Sequence, residues 1–174
     1  MLRIFQLIIG AIAIGAAAQM SIKLSSFYSI PITAQSLFVL MIAYLLKWKW
    51  GSICILIYLL AGILGAPIFS NFSGGWEVFS GNSMGFLLGF FFAALVVGKM
   101  AEKQEERFIK VVQQFFIGSL IILLFGYLGL LRFEDSKTAF LKGVLPFLPG
   151  MLIKILVGAV LLSIYRRFKN FMKM

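Results

Sequence analysis

The 174-residue chain has no histidine and a single cysteine, Cys54, set in an apolar run. Without histidine it lacks the commonest general base near neutral pH and the commonest neutral metal ligand. One cysteine excludes a disulfide within the chain. Acidic side chains are scarce, six against sixteen lysines and arginines, for a net charge of +10. Only 13% of residues are charged, and the longest polar stretch, Gly98–Lys110, is too short to fold alone. What is abundant is apolar: 61% of residues are hydrophobic and the mean hydropathy is +1.03. Water-soluble domains do not have this composition. In a soluble protein the basic excess would point to nucleic acid. In a membrane protein it collects in cytoplasmic loops, so the expected surroundings are a lipid bilayer and no nucleic-acid partner is expected.

A helix needs roughly 20 mostly apolar residues to cross a bilayer, because lipid leaves exposed backbone groups unsatisfied. Six stretches are candidates: Ile4–Ile22, Ile32–Leu46, Gly51–Leu64, Ser83–Val97, Val111–Leu131 and Pro146–Tyr165. They use up the chain, so 1–174 reads as one integral membrane domain, all-α, with six transmembrane helices. With the N-terminus inside, eleven basic residues fall on the cytoplasmic side: Arg3, Lys47, Lys49, Lys99, Lys103, Arg107, Lys110, Arg166, Arg167, Lys169 and Lys173. Four fall outside, Lys23, Arg132, Lys137 and Lys142. That asymmetry puts both termini in the cytoplasm, and Trp48 and Trp50 beside Lys47 and Lys49 suit a membrane–water interface. Arg3, the apolar stretch after it and Ala16-Ala17-Ala18 share features with a secretory signal; an ordinary first helix is the expectation.

The sixteenth basic residue, Lys154, lies inside the last span, in "PFLPGMLIKILVGAV". An ionised residue there costs roughly 2.5–3.5 kcal/mol on insertion scales and usually faces a cavity or a partner. It could snorkel to the interface. No acidic residue lies within any span to pair with it, which makes a ligand carboxylate an attractive partner. Between the third and fourth spans runs an external, glycine-rich, aromatic loop, "GAPIFSNFSGGWEVFSGNSMGF", carrying Asn71, Gly74, Gly75, Trp76, Glu77 and Asn82. Irregular backbone at membrane depth is tolerated where it lines a cavity, so this loop is a candidate cover for a ligand. Pro31 suits the first turn of the second span, with Gln35 a turn inside. Ala13 and Ala17, and Ala11 and Gly15, stand four apart on the first helix and permit close backbone approach.

Taken together, these stretches resemble the BioY family, the biotin-binding S components of energy-coupling factor (ECF) transporters. The resemblance covers nearly the whole chain. It rests on "IPITAQSLFVL" (Ile30–Leu40), "IYLLAGILGAPIF" (Ile57–Phe69), "FSGGWEVFSG" (Phe72–Gly81) and "PFLPGMLIK" (Pro146–Lys154). The family reads approximately P-V-P-I-T-L-Q-T, Y-L-L-x-G-x-x-G-x-P-V-F and F-L-P-G-D-x-x-K at the first, second and fourth of these, and its glycine-rich loop G-P-T-G-G-Y falls where the third runs on from Gly81. It implies a six-helix protein of the bacterial cytoplasmic membrane that captures biotin from outside. Transport would use a separate ECF membrane coupling subunit and two cytoplasmic ATPase subunits. The chain carries no G-x-x-x-x-G-K-[ST] phosphate loop of its own. The resemblance makes Ala13 and Ala17 a docking patch for the coupling subunit.

Two departures stand out. The family aspartate of F-L-P-G-D-x-x-K is Met151 here, and G-P-T-G-G-Y appears as Gly81-Asn82-Ser83-Met84-Gly85-Phe86. Residues three apart share a helix face, so the family pocket sets an acid beside the lysine where this chain keeps the lysine alone. Methionine is at best a weak acceptor; Asn71, Asn82, Gln35 or Glu77 could supply the lost hydrogen bonds. Phe72, Trp76, Phe86 and Tyr58 could cover a ring and an aliphatic chain. The expected ligand is biotin, with another small carboxylate vitamin as the alternative, and a solitary transporter as an alternative mode. An intramembrane enzyme would need a nucleophile, base or metal set that these residues do not supply; no cofactor is expected.

Overall fold

The computed structural model describes residues 2–22, 32–103 and 107–172. Lys23, Ser29, Ile30, Pro31 and Lys173, which entered the sequence reading, lie outside them. The architecture is all-α. Helix α1 (Leu2–Gln19) leads into a minimal antiparallel ladder, β1 (Ser21–Ile22) with β2 (Ile32–Thr33), paired Ser21 to Thr33 and Ile22 to Ile32. Then come α2 (Gln35–Ile63), the short α3 (Trp76–Ser80), α4 (Met84–Ala101), α5 (Phe108–Leu130), α6 (Ser136–Gly143) and α7 (Phe147–Phe171). Five helical segments are long and apolar enough to cross a membrane: α1, α2, α4, α5 and the run from α6 into α7.

Helix α2 accounts for the sixth predicted span. Its backbone leaves the helical region at Lys47, with φ 65° and ψ 178°. A methyl group added at Gly51 would lie 2.9 Å from the Ala43 Cα. Eight residues along a straight helix rise about 12 Å, so the chain reverses at Lys47 and α2 is two antiparallel arms. The predicted spans Ile32–Leu46 and Gly51–Leu64 are these arms. Each is shorter than the roughly 20 residues a bilayer core takes. The first arm is preceded by the extended residues Ile32–Thr33, non-helical backbone of the kind tolerated where it borders a cavity.

The helices are apolar on their outward as well as their inward faces. In α1, Leu7, Gly10, Ile14, Ala17 and Ala18 recur at helical spacing and are buried, whereas Phe5, Ile9 and Ile12 on the other side are exposed. An exposed face of that kind suits lipid and not water. Glycines set the closest approaches. Methyl groups at Gly85 and Gly129 would each meet the other glycine's Cα, at 2.9 and 2.7 Å in turn, so α4 and α5 touch backbone to backbone. Gly98 lets α4 rest on the backbone at Trp48 of the α2 hairpin tip, where the Lys47 Nζ also donates to the Ala101 carbonyl at 2.7 Å. At the start of the run into α7, α6 is begun by Asp135, whose carboxylate accepts from the Thr138 N–H at 3.2 Å. Hydrogen bonding from Thr138, from its side chain first and its N–H second, holds the Asp135 carboxyl below the usual carboxylate range.

Basic and aromatic side chains gather at one end of the bundle. Arg3 and Lys49 each lie 5.9 Å from the Trp50 ring, and Lys99 lies 5.5 Å from Trp48. Lys47 and Arg166 approach the Tyr44 ring at 5.0 and 4.9 Å. The start of α1, the hairpin tip and the ends of α4 and α7 therefore share one end.

Candidate ligand-binding cavity

At the opposite end a cavity opens between α2, α4, α5 and α7, roofed in part by residues 64–83. The space together with its open mouth comes to about 880 Å³, part of it solvent outside the bundle. Its two sides differ. The first arm of α2 and the strand before it present Thr33, Gln35 and Ser36, and α7 presents Met151 and Lys154. The α4 and α5 side is aromatic and aliphatic, with Phe86, Phe90, Phe115, Ile122 and Leu123 around Ser119.

The polar side is ordered by its own hydrogen bonds. The Lys154 ammonium donates to the Ser36 hydroxyl at 3.1 Å, and among the described residues no carboxylate pairs with it. Gln35 is 5% exposed. Its amide N–H donates to the Tyr58 hydroxyl at 2.5 Å, and its carbonyl accepts from Thr33 at 2.9 Å. Tyr58 in turn donates to the Ile68 carbonyl at 3.2 Å. A chain of hydroxyl and amide groups thus runs from the cavity wall through a buried tyrosine to the covering loop.

That loop is built inward. Phe69 packs its ring over Gly62, where a methyl group would clash with it, and meets Tyr58 edge to face at 5.7 Å. The Gly75 N–H returns to the Gly62 carbonyl at 2.7 Å, with Gly75 at φ 96°, a conformation glycine adopts without strain. Gly74 lies against the Ala66 carbonyl, leaving no room for a side chain. Gln19 at the end of α1 fastens the loop from the other side. Its amide donates to the Phe69 carbonyl at 3.0 Å and accepts from the Phe72 N–H at 2.8 Å.

Of the residues expected from sequence, Gln35, Phe86, Met151 and Lys154 line the cavity together. Met151 and Lys154 face it from one side of α7, as their spacing requires. Phe86 stacks on Phe147 at 5.2 Å. Tyr58 stands one layer behind, fully buried. Asn71, Gly74, Gly75, Trp76 and Asn82 lie outside the lining; Asn71 takes a left-handed turn conformation, and Trp76 is 62% exposed. The loop reaches the cavity through Phe69, Ser70, Val78 and Ser83 instead. On α1, Ala17 is 1% exposed and packed within the chain, and Ala13 is half-buried against the core. Ser36, Ser119 and Phe147 were not among the expected site residues. Ser36 and Phe147 sit inside quoted motifs, but nothing around Ser119 distinguishes it from any serine in an apolar helix.

The family model that matches covers residues 1–170 and describes the BioY family. The chain belongs to the BioY family. Among curated BioY relatives, the biotin transporter of Thermotoga maritima is 37% identical over 133 residues, 76% of this chain and 78% of its own. A probable biotin transporter of Rickettsia prowazekii is 30% identical over 169 residues, 97% of this chain and 86% of its own. Among solved structures, the S-component for biotin from an ECF-type ABC transporter superposes with a TM-score of 0.84 over 95% of this chain and 90% of that one. The identity there is 21%, so that likeness speaks for the fold.

Proposed function

We propose that this chain is the biotin-binding S component of an ECF-type transporter, a membrane carrier and not an enzyme. Lys154 carries the reading. An ammonium group faces the cavity, held by a serine hydroxyl, with no carboxylate paired to it among the described residues. The carboxylate of biotin supplies the missing charge. The aromatic side takes the rings, and residues 64–83 cover them.

The proposed topology has six crossings of a bacterial cytoplasmic membrane. The basic, tryptophan-bearing end is cytoplasmic and the cavity opens outside, which agrees with where lysine and arginine gather. Uptake then uses a membrane coupling subunit and two cytoplasmic ATPase subunits. α1 is the proposed contact with the coupling subunit. Its outward face carries Ile9, Ile12 and Ala16, with Ala13 at the edge and Ala17 supporting it from within.

Met151 in the lining favours a second reading, another small carboxylate vitamin on the same scaffold. Mass spectrometry of small molecules that co-purify with the detergent-solubilised protein separates the two. Biotin is the expected species; a different carboxylate, found in its place, would overturn the first reading.

A further inference from the structure

Resting on the biotin reading, we propose that Ser119 of α5 is a specificity-determining residue whose hydroxyl contacts the neutral urea head of the ligand. Ser119 lines the cavity and is 7% exposed. Its hydroxyl makes no hydrogen bond to any described residue. Buried serines in helices commonly turn back on the carbonyl four residues earlier. Ser163 does so, donating to the Ala159 carbonyl at 2.8 Å, and Ser52 does so towards Trp48. Ser119 makes no such bond. The hydroxyl is instead left open to the cavity, on its otherwise apolar α4 and α5 side.

The division of labour across the cavity gives the hydroxyl its task. Lys154 and Ser36 form the charged end on α7 and α2. Gln35 already spends its amide on Tyr58 and Thr33. Met151 offers only a weak acceptor. A urea presents N–H donors and a carbonyl acceptor, and a serine hydroxyl answers either, with one donor and two acceptor positions. Ser83 is the other uncommitted hydroxyl on that side, but it sits before α4 and is only half-buried, where water competes for it.

The test is biotin affinity of the full-length detergent-solubilised Ser119→Ala protein. Removing one buried hydrogen bond to the ligand is worth about tenfold in affinity. The same tenfold loss is expected for desthiobiotin and for biotin amide, since both keep the urea. The ligand-free protein should unfold at the same temperature or higher, because no protein contact is lost. Ser119→Cys, close in volume and a weaker donor, should fall between and guards against a folding defect in the alanine variant. Unchanged biotin affinity in Ser119→Ala overturns the proposal, leaving the hydroxyl to hold an ordered water only. A loss seen for biotin but absent for its amide also overturns it, because the contact would then be to the carboxylate. Lys154→Met, measured alongside, separates the levels. If it keeps full affinity the biotin reading fails, whereas loss there with unchanged Ser119→Ala affinity sinks this inference alone.

Discussion

Replacing Lys154 by methionine removes the ammonium while keeping a long, flexible apolar side chain suited to a membrane helix. Lys154 hydrogen-bonds to Ser36 alone among the described residues, so the empty protein loses one hydrogen bond and is relieved of a partly buried charge. Its fold should survive, with a melting temperature unchanged or raised. The bound state loses far more. Truncating one partner of a hydrogen-bonded buried charge pair costs about 2–5 kcal/mol. Because Lys154 is only partly buried, the lower half of that range applies, and about 2 kcal/mol corresponds to roughly 30-fold in affinity. Equilibrium dialysis with radiolabelled biotin on the detergent-solubilised variant reads this directly. Biotin amide supplies the control: it has no charge to pair, so parent and variant should bind it within a few-fold of each other. Equal affinity of parent and variant for biotin itself would refute the reasoning and return Lys154 to a snorkelling role. Met151→Asp on the same helix face should restore the family's acid and shift affinity or ligand preference measurably.

Two further expectations follow from geometry. Gln19→Ala removes both bonds that fasten the covering loop to α1, a loss of about 1–3 kcal/mol at roughly 0.5–1.5 per bond. Biotin should dissociate about tenfold faster or more, and a protease should cut within residues 64–83 sooner; an unchanged off-rate would show that the loop does not hold the ligand. For topology, a cysteine placed in 132–142 should react with an impermeant reagent in intact cells and one placed after Arg166 should not. Cys54 is buried and should stay silent. Labelling of the C-terminal position would reverse the orientation.

Much of the fold is legible in the chain because lipid imposes a length rule that apolar runs display openly. The reversal at Lys47 is announced by Lys47-Trp48-Lys49-Trp50, charges and tryptophans between two apolar runs. The shortness of the two arms is less visible, since what precedes the first is extended backbone beside a cavity. Within the site, Lys154 stands out because a charge inside a span needs a reason. Gln35 and Met151 could be placed by spacing and resemblance. The loop asparagines drew attention by chemistry alone, but which loop side chains turn inward depends on local backbone geometry, including the left-handed turn at Asn71 and Phe72. Gln19 and Ser119 could not be singled out. One acts through backbone groups about fifty residues away, and the other differs from its neighbours only in the bond it does not make.

The glycine-to-glycine seam between α4 and α5 bears on how tolerance to mutation is read in this molecule. Gly85 and Gly129 leave no space for even a methyl group, so a growth screen dependent on vitamin uptake would mark them as intolerant as Lys154. The two kinds of intolerance have different origins and separate in a second measurement. Seam variants force two backbones apart and deplete the protein from the membrane, whereas Lys154 variants leave its abundance intact and empty it of ligand. Immunoblotting each variant alongside growth sorts positions that build the barrel of helices from positions that recognise what it carries.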